Sequence, residues 1–179
     1  MSDQVERRRD RTTRRTALGS VAAATMFASG CLFVQRVVVR RRWLPMTSRG
    51  FLTDFCRWGP RIGIVLFPIE LVATVLLVVT TRREARRGRP GVAAWAAATT
   101  CEGATLALLL VYFGRANSAL MSPAFPVDEA SAELGRWRRW HAVRTLLAAL
   151  AAVLSVRGGV VSRREERLSA RRRSTIRGR

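Results

Sequence analysis

Four long apolar stretches, dominated by alanine, valine and leucine and separated by short clusters of arginine, constrain this 179-residue chain more than any other feature. The first runs from Ala17 to Val34, the second from Ile62 to Thr80 and the third from Val92 to Phe113. Each holds about 18 residues or more, which at roughly 1.5 Å per helical residue crosses or nearly crosses a hydrocarbon core about 30 Å thick. The fourth, from about His141 to Val161, is interrupted by Arg144 and Arg157, and its unbroken apolar core extends only from Thr145 to Val156. A run that short also suits a buried soluble helix. Three longer spans beside it, and arginine stems that can snorkel from either end, favour a fourth crossing. The bulk composition, 49% apolar and 25% charged, is that of an average soluble domain and conceals this segregation.

The expected fold is therefore all-α, a four-transmembrane-helix bundle with spans at about 17–38, 61–81, 91–113 and 140–161 inside a membrane domain, 17–161. A basic segment, 1–16, precedes it, and a basic tail, 162–179, is expected to be disordered. In the first connection Phe51, Leu52, Phe55 and Trp58 have helical spacing after Thr47 and Ser48, which can cap a helix. That pattern predicts a short interfacial helix between spans one and two, ended by Gly59 and Pro60. In the third connection Asp128 is a candidate cap for a helix that continues through Trp140 into the fourth span.

Arginines concentrate before the first span, between Arg82 and Arg89, and after the fourth span. The positive-inside rule then makes both termini cytoplasmic in a multi-pass protein of the cell membrane. Trp43, Trp58, Trp137 and Trp140 fall together at the opposite surface, as an aromatic belt does. The net charge of +20 invites a nucleic-acid reading. The charge marks span ends instead of one face or groove, so attraction of the basic termini to anionic lipid headgroups is the more economical account, with no specific nucleic-acid partner. TRRTALG resembles an export signal and ASGC, ending at Cys31, a lipoprotein box, but the apolar run continues past the cysteine. Cys31, Cys56 and Cys101 have no metal-ligand spacing, and no metal or cofactor is expected.

Residues Trp137 to Val156, WRRWHAVRTLLAALAAVLSV, set aromatic, imidazole and guanidinium groups at the mouth of an apolar run. On a helix Trp137, Trp140, His141, Arg144, Ala148, Ala151 and Ser155 share one face. Polar groups are expensive in hydrocarbon, so this face should turn toward other helices. Glu70 and Glu102 fall near the middle of the second and third spans and should also face inward. Two roles are open for them: a shared proton or relay within a binding site, or hydrogen bonding to threonine and backbone groups of neighbouring helices. Pro68 is expected to kink the second span just before Glu70.

The order of the spans, RGFLTDFCRWGPRIG before the second, Asn117 after the third, and above all the Trp137–Val156 segment resemble the domain of unknown function 1772 family, the anthrone oxygenase-like membrane proteins. The match covers roughly Thr16 to Val156. Most such proteins have no assigned activity; the resemblance implies that some oxidise anthrones to anthraquinones with molecular oxygen, without metal or flavin. A cofactor-free oxygenase needs a base, a group that holds the enolate and an apolar pocket. Here His141 would be the base, Arg144 the anion holder and Asn117 the group that orients the carbonyl, while Trp137 and Trp140 would stack on a flat aromatic ligand. Interfacial anchoring explains the same Trp, His and Arg group without chemistry. Two functions stay open: a membrane protein that binds a small apolar molecule in its bundle, and an oxygenase acting on an anthrone-like or other phenolic polycyclic substrate.

Overall fold

The computed structural model of the chain describes the backbone of residues 2–177 and the side chains of residues 11–165, 167 and 168. Helix α1 (Ser2–Phe33) runs directly into a π-helical stretch, Val34–Trp43, and a short turn leads to α2 (Ser48–Arg86). Helix α3 (Val92–Leu108) passes through a π-helical turn, Leu109–Phe113, into α4 (Gly114–Leu120), and α5 (Ala130–Arg177) is the last element. No strand occurs among the described residues. Four helical segments are long and apolar enough to cross a membrane: Arg11–Trp43, Ser48–Arg86, Val92–Leu120 and Ala130–Glu165. The expected spans fall within them to one residue. Helix α5 continues to Arg177, so the backbone is helical along residues 162–177, where a disordered tail is expected, while headgroup binding by the basic termini falls largely on side chains outside those described.

Helix α1 packs on α2 and α5, and α3 packs on the same two helices, so the four spans form a ring with sequence neighbours side by side. Of the two diagonals, α2 and α5 also touch. Polarity is inverted relative to a water-soluble bundle. Ile64, Val65, Val72, Leu110, Val111 and Val153 are exposed on the outside, while Ser20, Glu70, Glu102, Thr105, His141 and Arg144 are buried inside. Lipid tolerates the first set and only neighbouring helices can satisfy the second, so the four helices are compatible with an integral membrane protein.

Polar stitches join the helices at the end that carries Trp95. The Ser20 hydroxyl lies 3.0 Å from the Leu76 carbonyl oxygen and 2.8 Å from the Thr80 hydroxyl, and Thr81 and Thr99 hydroxyls meet at 2.8 Å. Buried Glu84 accepts from the Ser162 hydroxyl at 2.6 Å. Here α3 and α5 approach closely because Gly158 has no side chain. A Cβ at that position would lie 2.8–2.9 Å from the buried Trp95 indole. The α2–α3 turn uses Gly88 at φ 60, a conformation in which L side chains are strained.

The first connection departs from expectation. Thr47 caps α2, its Oγ1 accepting from the Gly50 amide at 3.3 Å, but the helix then runs unbroken through Gly59, Pro60 and Pro68 to Arg86. The Phe51–Trp58 segment is thus the first part of the second span and no separate interfacial helix forms. Proline removes one backbone donor and crowds the carbonyl a turn earlier, yet within a membrane helix other groups can re-satisfy the loosened carbonyls. Beside Pro60 the Arg61 guanidinium donates to the Arg57 carbonyl oxygen at 2.6 Å.

The π-helical stretch after α1 buries Val34, Val39 and Trp43, at spacings of five and four residues. Its wider winding turns Trp43 into the bundle and leaves Arg40, Arg41 and Arg42 on the outside.

The Gly158 contact gives a test of the packing. Gly158→Ala should destabilise the protein by about 1–3 kcal/mol through overpacking against Trp95. Gly159→Ala, whose Cβ would meet Trp95 at an ordinary 3.8 Å, should be near neutral in the same unfolding assay in mixed micelles.

Candidate functional site

The inward face of α5 carries the polar groups that the helical period places there. His141, Arg144, Thr145, Ala148, Ala151 and Ser155 are buried, as is Trp137. Trp140 is not part of this set. It is 40% exposed and lies against Tyr112, ring centroids 5.6 Å apart. At about 100° per residue Trp140 is rotated roughly 60° from Trp137, which carries it past the edge of the inward stripe. The structure therefore separates it from the other residues expected at the site.

The indole of Trp137 is at the centre of an aromatic cluster. It stacks on the His141 imidazole, centroids 4.7 Å apart and planes at 11°, and packs edge-on against Trp43 at 5.6 Å and Phe113 at 5.4 Å. Its Nε1 donates to Asn117 Oδ1 at 2.9 Å, so Asn117 positions this ring. Trp43 is held in turn by Asp54, whose Oδ2 accepts from its Nε1 at 2.9 Å. Arg42 donates to both oxygens of the same carboxylate at 2.8 and 2.7 Å, clamping the turn before α2.

His141 Nδ1 lies 3.0 Å from Gln35 Oε1 and 3.3 Å from Thr145 Oγ1. Thr145 gives its own proton to the His141 carbonyl oxygen at 2.8 Å. With oxygen acceptors on that side the network assigns the imidazole proton to Nδ1 and leaves Nε2 with a lone pair. Gln35 went unnoticed in the sequence. Its signal was a lone carboxamide next to Val34 at the end of an apolar run, facing no obvious partner.

One turn further along α5, Arg144 reaches across the bundle to Glu70 of α2, with Nη2 donating to Oε2 at 2.5 Å. The guanidinium lies over the Phe27 and Phe113 rings at 5.2 and 5.5 Å, and its Nε has no hydrogen-bond partner among the described residues. Both Glu70 and Glu102 are fully buried, as their depth in the spans required. The Thr105 hydroxyl lies 2.8 Å from Glu70 Oε1 and 2.8 Å from the Glu102 carbonyl oxygen, and its single proton serves only one of them at a time. Neither Glu102 carboxyl oxygen has a partner among the described residues. Glu70 thus has the expected threonine partner on a neighbouring helix, Thr105, and adds to it an ion pair with Arg144. Unlike charges at similar depth on two inward faces were the available clue.

Next to these groups lies a cavity of about 60 Å³, walled by Trp43, Phe113 and Trp137, with Asn117, His141 and Arg144 as polar members. It joins five of the expected site residues directly or, for Glu70, through Arg144. Glu102 does not line it. Among the described residues no three of His, Cys, Asp and Glu gather as a metal-binding group.

Removing one partner of a buried ion pair strands the other. Arg144→Met should cost about 3–5 kcal/mol, measured by unfolding in mixed micelles, and the double variant Arg144→Met/Glu70→Met should recover a good part of that loss. A double variant as unstable as the sum of the singles would show that the two side chains do not act as a pair. Comparison of the chain with protein-family models, with curated proteins and with solved structures finds no match in any of the three.

Proposed function

We propose that this chain is a multi-pass membrane protein of the anthrone oxygenase-like group, with both termini cytoplasmic, that binds a small, largely apolar molecule in its bundle beside His141 and Arg144. What supports this most is the buried His141, Arg144 and Glu70 set next to an aromatic-walled cavity. Ionisable groups deep in a membrane bundle are costly and are retained for function by default. An apolar wall with a few convergent polar groups is the usual make-up of a small-molecule site. The 60 Å³ cavity holds a few water molecules or a diatomic gas, well below the roughly 300 Å³ at which drug-sized pockets begin. A tricyclic ligand enters only if the Trp137 and Phe113 rings part.

A second reading, a cofactor-free oxygenase, is favoured by one observation: Gln35 engages Nδ1 of His141 and leaves Nε2 as a base. In that reaction Nε2 takes a proton from the CH₂ of an anthrone and Arg144 stabilises the enolate. One atom of dioxygen becomes the new ring carbonyl oxygen and the other leaves as water, which balances the four-electron change.

Titration of the detergent-solubilised protein with a simple anthrone and with naphthol tests the binding site. A saturable change in tryptophan fluorescence is expected, reduced several-fold in Trp137→Phe; a linear, non-saturating response by well-folded wild type would refute the site. Oxygen uptake with the anthrone tests the second reading. It should fall about 10²-fold or more in His141→Ala, the scale of a lost general base. Uptake that survives the substitution removes His141 from the chemistry.

A further inference from the structure

A separate groove runs along the outside of the bundle between the end of α1 with its π-helical extension and the first half of α2. Its volume is about 900 Å³, and Met26, Phe33 and Val37 on one side and Val65 and Ile69 on the other make its walls apolar. Its polar mouth is formed by Arg41, Arg61 and Trp58. From Trp58 to Ile69 the wall rises roughly 16 Å at 1.5 Å per residue, about the depth of one leaflet of a 30 Å hydrocarbon core.

The charge at the mouth is unbalanced. Arg42 also lines the groove, but it is engaged by Asp54. Arg41 has no carboxylate partner among the described residues. Arg61 lies 5.3 Å over the Trp58 ring and gives Nη1 to the Arg57 carbonyl, which leaves its other donors unused. Arg36 and Arg40 add positive charge beside Arg41. Two guanidiniums with donors to spare, an amphipathic indole at the same level and an apolar channel one leaflet deep match a phosphate headgroup joined to an acyl chain.

We infer that this groove is a binding site for one anionic phospholipid, its phosphate on Arg41 and Arg61 and one acyl chain lying between α1 and α2 as far as Met26 and Ile69. The phosphate site at Arg41 and Arg61 lies outside the lining of the cavity at His141, although Val34, Ile62 and Leu66 line both hollows.

Native mass spectrometry of the full chain, released from phosphatidylcholine micelles to which phosphatidylglycerol has been added, tests the assignment. One phosphatidylglycerol should be retained in preference to phosphatidylcholine. The double variant Arg41→Gln/Arg61→Gln should lower that retention about tenfold. Val65→Trp, which fills the exposed channel and leaves the arginines in place, should lower it as well. Arg82→Gln/Arg86→Gln, at the far end of α2 and outside the basic termini, should leave it unchanged. Equal retention of the two lipids by wild type, or an Arg41/Arg61 variant that still selects phosphatidylglycerol, overturns the proposal. So does an equal loss in the far-end variant, which would mean bulk charge. Displacement of the lipid by inorganic phosphate alone would make this a phosphate site and refute the lipid assignment.

Discussion

The ion pair between Arg144 and Glu70 is the constraint on which the interior depends. A guanidinium cannot be left unpaired among apolar helices, and the carboxylate that Arg144 pairs with lies across the bundle, on α2. That crossing draws two diagonal helices together and sets their axial register. It also places Thr105 of α3 against Glu70 and Phe27 of α1 beneath Arg144, so all four spans answer to one bond. His141 is one turn toward the aromatic end because Arg144 is where it is. The pair brings a second carboxyl, Glu102, close to a position already holding a negative charge, and among the described residues no hydrogen-bond partner meets it.

The two ends of the bundle solve the packing problem differently. In lipid, helix association rests on close packing and interhelical hydrogen bonds more than on hydrophobic exclusion of water. Near Trp95 small residues and hydroxyls let backbones approach: Gly158 under the indole, Ser20 against Thr80, Ser162 against Glu84. Near Trp137 the interior is filled by large rings held at fixed angles by Asn117 and Asp54. Rigid rings leave gaps where alanines would close them. The cavity at the aromatic end, about 60 Å³ against about 30 Å³ beside Trp95, takes two of its polar groups, His141 and Arg144, from the same stripe of α5.

Much of this was legible in the chain. Apolar run length located the four spans, and the helical period turned Trp137, His141 and Arg144 inward with Ala148, Ala151 and Ser155. The depth of Glu70 and Glu102 within their runs required burial. What failed did so for identifiable reasons. Trp140 has the three-residue spacing from Trp137 that suggests one stripe, but its angle takes it out to the exposed side. Pro60 reads as a helix end under a rule drawn from water-exposed helices, and that rule does not hold inside a membrane span. The partners of His141 and Arg144, Gln35 and Glu70, are 106 and 74 residues away, and local periodicity has no access to pairings of that range.

The π-helical stretch at the end of the first span has a wider meaning for how this chain is decoded. Up to Phe33 the sequence is read in one helical frame; from Val34 onward the frame shifts, and inward positions recur at five and four residues. Read in the earlier frame, VQRVVVRRRW would project part of its arginine triplet into the core and Trp43 out of it. The shift sorts an ambiguous ten-residue string so that one helix edge supplies both Gln35 to the histidine and guanidiniums to the opposite surface. An insertion or deletion of a single residue between Val34 and Trp43 would therefore act as a frameshift in three dimensions, exchanging the chain's interior and exterior alphabets at that end of the bundle.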